Sequence, residues 1–321
     1  MSFENLSILV TGGAGFIGSN IVEYLLNNKA KFVRILDNMS TGFRSNIDHL
    51  LQKFSNIEFV WGDITNLEVC KRACKDMSVI CHQAALGSVS RSVDDPLTSH
   101  NTNVNGFLNI LLAAKENNIK RIVYASSSSV YGSNNNQIKI ENEIGMQMSP
   151  YAITKYIDEL YAKIFTNIYG LECIGLRYFN VFGPRQNPNG AYAAVIPKFI
   201  KMIINNQIPT INGDGTYSRD FTYIDNIVYA NCLALTTENK SCFGEIFNVG
   251  TNNSVSINEL YNLIKQILNK EICKPIYGPA RIGDVPYSNA STDKISKFLG
   301  YKPKIYFDEG LEKTINYFLE H

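Results

Sequence analysis

The feature that most constrains the fold is a glycine-rich turn that joins a short apolar strand to an amphipathic helix. The segment reads LSILVTGGAGFIGSNIVEYLLNN and covers residues 6–28. After the turn, apolar residues recur with a helical period at Ile17, Ile21, Val22, Leu25 and Leu26. A strand, a tight glycine turn and a helix in this order predict the first unit of a parallel, helix-covered sheet.

Strands and helices alternate through the first half of the chain. The apolar runs KFVRILDN, IEFVWGD, SVICHQAA, RIVYASSS and LECIGLRYFNVFG are typical of strands, and helical patterns separate them, including residues 97–117 and 149–169. Strands joined by helices of this kind form right-handed crossovers. We therefore predict an α/β fold with a doubly wound parallel sheet of the Rossmann type.

The pattern of predicted elements changes after about Gly183, where the elements become shorter and are interrupted by prolines and glycine turns. This predicts a smaller, mixed α/β domain at the carboxyl edge of the sheet, where open α/β sheets bind ligands. We divide the chain into a dinucleotide-binding domain, residues 1–180, and a substrate domain, residues 181–321. Segments at about 219–250 are expected to return to the first domain.

Composition excludes several classes of function. The formal net charge is +1 and the pI is near 7.5, so no global field favours nucleic acid or an anionic membrane. No apolar run reaches membrane-span length, and the amino terminus lacks a basic, cleavable leader pattern. Seven cysteines occur without metal-site spacing. We expect a soluble cytoplasmic protein with reduced cysteines and no metal.

The glycine turn is a candidate phosphate site. Gly12, Gly15 and Gly18 stand at every third position between the strand and the helix. Glycines there let backbone N–H groups approach a pyrophosphate at the positive end of the helix. Asp37 ends the second strand, where a carboxylate binds the adenine-side ribose and repels a 2′-phosphate. This favours NAD over NADP, although Arg44 nearby leaves NADP open.

The ends of the third and fourth strands complete the predicted cofactor site. Asp63 either meets the adenine amino group or caps its own loop, and small residues in HQAALGS, residues 82–88, let backbone approach the cofactor. His82 is more typical of a core residue, and we assign it no role. The predicted cofactor-binding residues are Gly12, Gly15, Phe16, Ile17, Gly18, Asp37, Asn38, Ser40, Thr41, Gly42, Asp63, Ile64, Gln83, Ala84, Ala85, Tyr151, Lys155 and Val181.

A tyrosine and a lysine four residues apart form the candidate catalytic pair. Tyr151 and Lys155 share one face of the helix that starts at Ser149, a spacing that structural pairs also use. Beside a dinucleotide, the lysine charge favours ionisation of the phenol, and the amine can bind the nicotinamide ribose. The cluster YASSSSVYG, residues 124–132, offers hydroxyls for a substrate, with Ser127 the first candidate and Ser128 beside it.

Together these motifs resemble the extended short-chain dehydrogenase/reductase family over essentially the whole chain. The glycine turn, the serine cluster and YAITK, residues 151–155, are the three signatures that carry the resemblance. The stretches LRYFNVFGPRQNPNGAYAAVIPKFI, residues 176–200, and SRDFTYIDN, residues 218–226, resemble nucleotide-sugar enzymes. They are most similar to UDP-N-acetylglucosamine 4-epimerases, which make UDP-N-acetylgalactosamine for bacterial surface polysaccharides.

The resemblance implies an activity and a substrate site. Tyr151 would take the proton of the sugar 4-hydroxyl while bound NAD takes the C4 hydride, and both would return to the other face of the turned sugar. UDP-glucose and UDP-galactose are further candidate substrates, and a homodimer through the helices at 97–117 and 151–169 is expected. The substrate-binding residues implied are Gly87, Ser88, Ser127, Ser128, Tyr151, Asn180, Ala194, Val195, Asn212, Arg219, Arg281, Asp284 and Ser288.

Three alternatives share this fold. A 4,6-dehydratase or decarboxylase needs an additional acid beside the serines, whereas here Val130 follows the cluster. A UDP-uronic acid 4-epimerase needs a cation for the sugar carboxylate, which the fold can supply from elsewhere. A non-catalytic NAD-sensing regulator typically lacks the tyrosine and lysine, and both are intact here.

Overall fold

The computed structural model describes residues 1–271, 274–280 and 286–320. Its strands, numbered along the chain, are β1 (Ser7–Thr11), β2 (Phe32–Asp37), β3 (Ile57–Trp61), β4 (Val79–His82), β5 (Arg121–Ser127), β6 (Ile138–Lys139), β7 (Glu172–Tyr178), β8 (Val181–Phe182), β9 (Thr210–Asn212), β10 (Ser218–Arg219), β11 (Thr222–Tyr223), β12 (Glu245–Val249), β13 (Val255–Ser256), β14 (Ile276–Gly278) and β15 (Tyr287–Ala290).

Helices separate most of these strands. They are α1 (Phe16–Asn27), α2 (Asp48–Lys53), α3 (Leu67–Cys74), α4 (Val89–Asp94), α5 (Pro96–His100), α6 (Gly106–Glu116), α7 (Pro150–Tyr169), α8 (Val195–Ile204), α9 (Ile224–Thr236), α10 (Ile257–Ile267), α11 (Asp293–Leu299) and α12 (Phe307–Glu320). Within the described ranges, none of them is long and apolar enough to cross a bilayer.

A seven-stranded sheet forms the centre of the molecule, in the order β12-β7-β5-β4-β1-β2-β3. Every neighbouring pair in it is parallel. In this order β2 lies on one side of β1 and β4 lies on the other. The connections that leave β1 and β4 therefore run in opposite directions, and a crevice forms at the carboxyl ends of these two strands. The doubly wound parallel sheet predicted from the sequence is confirmed, and β12 extends it from the second half of the chain.

Both faces of this sheet are buried, as expected for parallel strands covered by helices. Side chains of β1 alternate between the two faces. Ile8 and Val10 pack in the core that includes residues of α1 and α9, whereas Leu9 packs in the core beneath α3 and α6. The six described cysteines are buried and free, and burial raises the pKa of Cys70 to about 12. They serve as packing residues, and Cys273 lies outside the described residues.

The smaller sheets are built mainly from the second half of the chain, and β6 is contributed by the first half. One has the order β13-β10-β15-β6 with mixed strand directions, and β11-β8 and β14-β9 are two-stranded pairs. Parallel pairing of β10 with β15 places Arg219 opposite Ser288. Two residues distant in sequence are thereby brought to the same edge of the substrate side.

The long helix expected at 97–117 contains an irregular turn. Its middle, Asn101–Asn105, is a π-helical segment between α5 and α6. Such segments often mark functional sites. Here Asn103 is buried, accepts a hydrogen bond from Leu86 N (2.8 Å) and donates one to Thr154 Oγ1 (3.0 Å). The π segment therefore ties the loop after β4 to helix α7.

Candidate active site

A cavity of about 490 Å³ opens at the carboxyl ends of the central strands, where β1 and β4 diverge. We call it the main cavity. Its walls include most of the residues predicted to bind the cofactor or to act in catalysis: Gly12, Gly15, Phe16, Ile17, Gly18, Asp37, Asn38, Ser40, Thr41, Ile64, Gln83, Ala84, Ala85, Ser127, Tyr151, Lys155 and Val181. Four residues predicted to bind the substrate also line it: Gly87, Ser88, Ser128 and Asn180. The size and position suit an extended dinucleotide.

The glycine turn brings backbone very close to backbone. Gly12 has a φ of +67°, and a Cβ built there would lie 2.7 Å from Ala84 N. A Cβ on Gly18 would lie 2.1 Å from Gly12 O. The helix begins after Gly15, which offers no capping side chain, so the first N–H groups of α1 are open toward a ligand. This arrangement fits a phosphate group, and we call it the candidate phosphate cradle.

Asp37 lies at the carboxyl end of β2, beside the glycine turn. Its Oδ2 accepts a hydrogen bond from Ala14 N (3.0 Å) and its Oδ1 accepts one from Met39 N (2.8 Å). Burial raises the pKa of Asp37, and these two backbone bonds oppose that rise. Each carboxylate oxygen keeps a further lone pair with which it can accept from a ribose hydroxyl. The residues present therefore fit NAD.

Arg44, which left NADP open, is engaged by other groups. Its guanidinium lies 2.7 Å from Asp48 Oδ1 and 5.0 Å from the centre of the Phe59 ring. In this structure the arginine is therefore directed at Asp48 and Phe59. The geometry agrees with the choice of NAD.

Two residues of the predicted cofactor set lie outside the wall of the main cavity. Asp63 Oδ1 accepts hydrogen bonds from Thr65 N (2.8 Å) and Thr65 Oγ1 (2.7 Å), which is the loop cap that the sequence left open. Gly42 packs against Ala14, at 2.9 Å from the position of its missing Cβ. Their direct contact with the cofactor stays a prediction.

Helix α7 carries the candidate catalytic pair, Tyr151 and Lys155. Ser149 Oγ caps the helix by accepting from Ala152 N (3.1 Å), and Pro150 occupies its first turn. Tyr151 N donates to Ser92 Oγ (3.0 Å), which ties the start of α7 to α4. Lys155 Nζ donates to Ala125 O (2.9 Å) on β5. The cap and the Ser92 contact fix the start of α7, and the Ala125 contact fixes the Lys155 side chain; both residues line the main cavity.

The serine cluster lies across from this helix, at the end of β5. Ser127 Oγ accepts a hydrogen bond from Ser129 N (3.1 Å), and the 127–129 hydroxyls line the main cavity. Ser126 serves a structural purpose as well, because its Oγ donates to Glu159 Oε1 (2.5 Å). Glu159 in turn accepts a bidentate pair of bonds from Arg177, each 2.8 Å long. This buried ion pair braces α7 against the sheet.

His82 behaves as the sequence predicted, as a core residue. Its ring is buried, Nδ1 lies 2.8 Å from Thr11 Oγ1, and the ring centre lies 5.1 Å from that of Phe107. Burial, and then the charge of Lys155, lower the pKa of His82 to about 3. The imidazole is therefore neutral at physiological pH.

Two further cavities adjoin the main cavity on the substrate side. The outer cavity, about 370 Å³, is lined by Asn180, Ala194, Val195, Asn212 and Arg219 among others. The small cavity, about 200 Å³, is lined by Ser128, Asn180, Arg219 and Ser288 among others. The structure thus brings together the predicted substrate residues that it describes. Arg281 and Asp284 lie outside the described residues.

Several residues that line these cavities were not predicted from the sequence. Lys198 and Tyr217 line the outer cavity, and each had a signal in the sequence. Lys198 is one helical turn after Ala194, and Tyr217 stands two residues before Arg219. Gln186 lines both cavities, and its buried Oε1 has no partner among the described residues. Its position next to the predicted Asn180–Val181 stretch could have suggested it. Thr102, in the π segment, had no sequence signal.

The fold and the main cavity are typical of an enzyme that uses a dinucleotide, and the candidate pair Tyr151 and Lys155 lines that cavity. The chain belongs to the NAD dependent epimerase/dehydratase family, whose model matches residues 8–250. The extended short-chain dehydrogenase/reductase resemblance is confirmed, and NAD is the cofactor.

Three similar proteins illustrate the range of this family. A putative UDP-glucose 4-epimerase of Methanocaldococcus jannaschii is 40% identical over 97% of both chains. A UDP-glucuronate 4-epimerase of Thermodesulfobacterium geofontis is 34% identical over 98% of this chain and 96% of its own. The solved structure of a UDP-N-acetylglucosamine 4-epimerase from Methanobrevibacter ruminantium M1, in complex with UDP-N-acetylmuramic acid, has a TM-score of 0.92 and 39% identity, covering 100% of this chain and 99% of that one.

Proposed function

We propose that the protein is a UDP-N-acetylglucosamine 4-epimerase, which interconverts UDP-N-acetylglucosamine and UDP-N-acetylgalactosamine. The main support for the proposal is that the main cavity and the outer cavity adjoin each other near Tyr151 and Lys155. The main and outer cavities share Ser88, Asn180 and Gln186, and the main cavity contains Tyr151 and Lys155. A dinucleotide in the first space and a nucleotide-sugar in the second would face each other at the tyrosine.

The chain's own residues supply base, orientation and enclosure. Tyr151 as phenolate accepts the proton of the sugar 4-hydroxyl and later returns it. Ser127 accepts or donates a hydrogen bond at that hydroxyl, and Lys155 stabilises the phenolate by its charge. NAD, when bound, supplies the acceptor and donor of the C4 hydride. Arg219 offers a forked set of donors suited to a diphosphate.

Small side chains on the sugar side support an N-acetylated substrate. Ser288 is buried on β15 and lines the small cavity together with Ser128. Ala194 lines the outer cavity, and a Cβ added to Gly87 would meet nothing within 4 Å. A bulky C2 substituent needs such space, above all while the keto sugar turns over. The structure from Methanobrevibacter ruminantium M1 holds a UDP-sugar that is bulkier still.

A UDP-uronic acid 4-epimerase is the second candidate function. Lys139 and Arg219 both line the small cavity, so two cations are available near a sugar carboxylate. Lys139 Nζ, however, already donates to Asn134 O (2.6 Å) and Asn136 O (2.7 Å). Because its donors are committed to backbone carbonyls, we rank this function below the epimerisation of the N-acetylated sugar.

The test is to incubate the purified protein, without added cofactor, separately with UDP-N-acetylglucosamine, UDP-glucose and UDP-glucuronate, and to analyse the sugars formed. We expect epimerisation of the N-acetylated sugar with the highest kcat/KM. Turnover of UDP-glucuronate alone would replace the proposal by the second candidate. Absence of turnover on all three, with NAD present, would contradict both.

We also propose that the protein is a homodimer that pairs through α7 and the neighbouring α4 and α5. Apolar side chains of α7 that share one face, Leu160, Ile164 and Ile168, are exposed, as are Val93 and Leu97. Such a continuous apolar face is unusual on a monomer and marks an interface. Because α7 packs beside α4 and α5, a second copy would bury the same stripe in a symmetric contact.

Sedimentation of two variants tests the dimer. Leu160→Glu places a charge within the stripe and should yield monomers, because an unpaired charge is costly in an apolar contact. Leu319→Glu is the matched control, since Leu319 is an exposed leucine on α12. A wild-type protein that sediments as a monomer at micromolar concentration would contradict the proposal.

A further inference from the structure

The carboxyl group of Asp158, which has no role in the proposed mechanism, contacts the side chain of Lys155. Asp158 follows Lys155 by three residues on α7, so both side chains emerge on one face of the helix. Asp158 Oδ2 lies 3.3 Å from Lys155 Nζ, and the side chains are only 1% and 3% exposed, respectively. Asp158 Oδ1 is buried and has no hydrogen-bond partner among the described residues.

The groups around Asp158 and Lys155 add no net charge, so the charge of the pair depends on the ionisation of Asp158 itself. Glu159 and Arg177 neutralise each other through their bidentate contact. His82 is neutral because its pKa is lowered to about 3, and Tyr124 is neutral because burial raises its pKa well above the usual range. The titratable or charged groups around Asp158 and Lys155 are Tyr151 and Glu159 on α7, His82 on β4, Tyr124 on β5, and Cys173 and Arg177 on β7.

We propose that Asp158 is a positioning residue that holds Lys155 and, by its ionisation, sets the pH at which Tyr151 becomes the active phenolate. The inference rests on the proposed role of Tyr151 as the base. Lys155 stabilises a phenolate through its positive charge, and an ionised carboxylate 3.3 Å from Nζ offsets that charge. A protonated Asp158 leaves the full charge of the ammonium acting on the tyrosine.

The ionisation of Asp158 changes in the physiological range. Burial raises the pKa of Asp158 to about 7, although Lys155 opposes the rise. Above that pH the lysine–aspartate pair is neutral overall, and below it the pair carries one positive charge. The pair therefore supports the phenolate most strongly on the acid side, which widens the pH range over which the base is ionised.

The decisive variant is Asp158→Asn, which preserves the size and an acceptor oxygen for Lys155 but removes the negative charge. With the ammonium no longer offset, the phenolate should form at lower pH. Below about pH 7, where Asp158 is already protonated, kcat of the variant should match that of the wild type. Above that pH the variant should form more phenolate and have the higher kcat, with KM for the UDP-sugar unchanged. Ultraviolet titration of tyrosinate, corrected with Tyr151→Phe, should show the same difference without any turnover.

Glu312→Gln is the matched control, because it removes one carboxylate from an exposed position on α12. Its profile should superimpose on that of the wild type. An Asp158→Asn profile that also superimposes, or that moves to higher pH, would overturn the inference. Retained activity in Tyr151→Phe would instead overturn the proposed base, so the two failures are distinguishable.

A measurement on the wild type covers the case in which Asp158→Asn does not fold. In protein with carbon-13 in its aspartate carboxyl groups, one buried aspartate should titrate near neutral pH, well above the usual range. Its midpoint should rise further in Lys155→Met, where the opposing cation is gone. If all aspartates titrate in the ordinary acidic range in the wild type, the inference is wrong.

Discussion

The two ends of the active site are built on opposite principles. At the cofactor end, backbone packs on backbone, so that a Cβ on Gly18 would lie 2.1 Å from Gly12 O. At the sugar end, Gly87 lies on the wall of the same main cavity, yet a Cβ there would meet nothing within 4 Å. At the cofactor end the glycine positions have no room for a side chain, whereas at Gly87 the sugar end has such room.

This difference explains how one family can keep a cofactor and vary its substrates. The cofactor end depends on glycines and on a carboxylate at a strand end, and these are fixed by the parallel sheet. The sugar end depends on side chains from β10, β15 and α8 and on the loops between them. Substitutions there change the space for a sugar without disturbing the central sheet.

The largest effect is expected at the cofactor end. Gly18→Ala forces the Gly12 carbonyl or helix α1 to move, because neither backbone can accept a contact of 2.1 Å. We expect the variant to purify without NAD and to be inactive, with a thermal midpoint lowered by several degrees. Dinucleotide released on denaturation, measured by absorbance, checks this. A variant that retains a full complement of NAD would show that the turn is not the phosphate cradle.

The next effect is expected where the two ends meet. Tyr151→Phe removes the phenol oxygen and should lower kcat by at least about a hundredfold, the usual scale for a general base. Binding of the UDP-sugar, measured by calorimetry, should change little, since Phe retains the ring. Turnover close to the wild-type rate would mean that Tyr151 and Lys155 are an ordinary helical pair.

A smaller and selective effect is expected at the sugar end. Ser288→Tyr fills part of the small cavity, and overpacking of this kind costs about 1–3 kcal/mol. We expect kcat/KM for UDP-N-acetylglucosamine to fall by about tenfold to a hundredfold. UDP-glucose, which lacks the acetamido group, should be spared. Equal losses on both sugars would show that Ser288 does not gate the substrate.

The smallest effect is expected from Gly87→Ala, which sharpens the contrast with Gly18→Ala. A methyl group at Gly87 enters open space, so the thermal midpoint and the NAD content should match the wild type. KM for the UDP-sugar should rise by a few-fold, because the added methyl takes space from the substrate. A clear loss of NAD would show that Gly87 belongs to the cofactor end and that the contrast between the two ends is wrong.

The cofactor end could be predicted from the sequence because its signals are local. The strand, the turn and helix α1 are contiguous, and Tyr151 and Lys155 are one helical turn apart. Local backbone geometry follows from such short-range patterns. The same reasoning predicted the parallel sheet, because alternating strands and helices leave little choice of connection.

The sugar end depends on contacts between distant residues, which a sequence pattern does not encode. Ser288 reaches the small cavity only because β15 pairs with β10, and the family resemblance, rather than any spacing, indicated it. The contact between Asp158 and Lys155 needs particular side-chain conformations in a buried space. For the same reason, the loop cap at Asp63 could not be decided before Thr65 was placed.

In the proposed reaction the sugar is oxidised and reduced at C4 within one active site. The most direct measurement uses UDP-N-acetylglucosamine with deuterium at C4, incubated with the purified protein in ordinary water without added NAD. We expect UDP-N-acetylgalactosamine that retains its deuterium at C4, because the hydride returns from the bound cofactor to the opposite face. Product that has lost its deuterium to solvent would show that the proposed reaction is wrong.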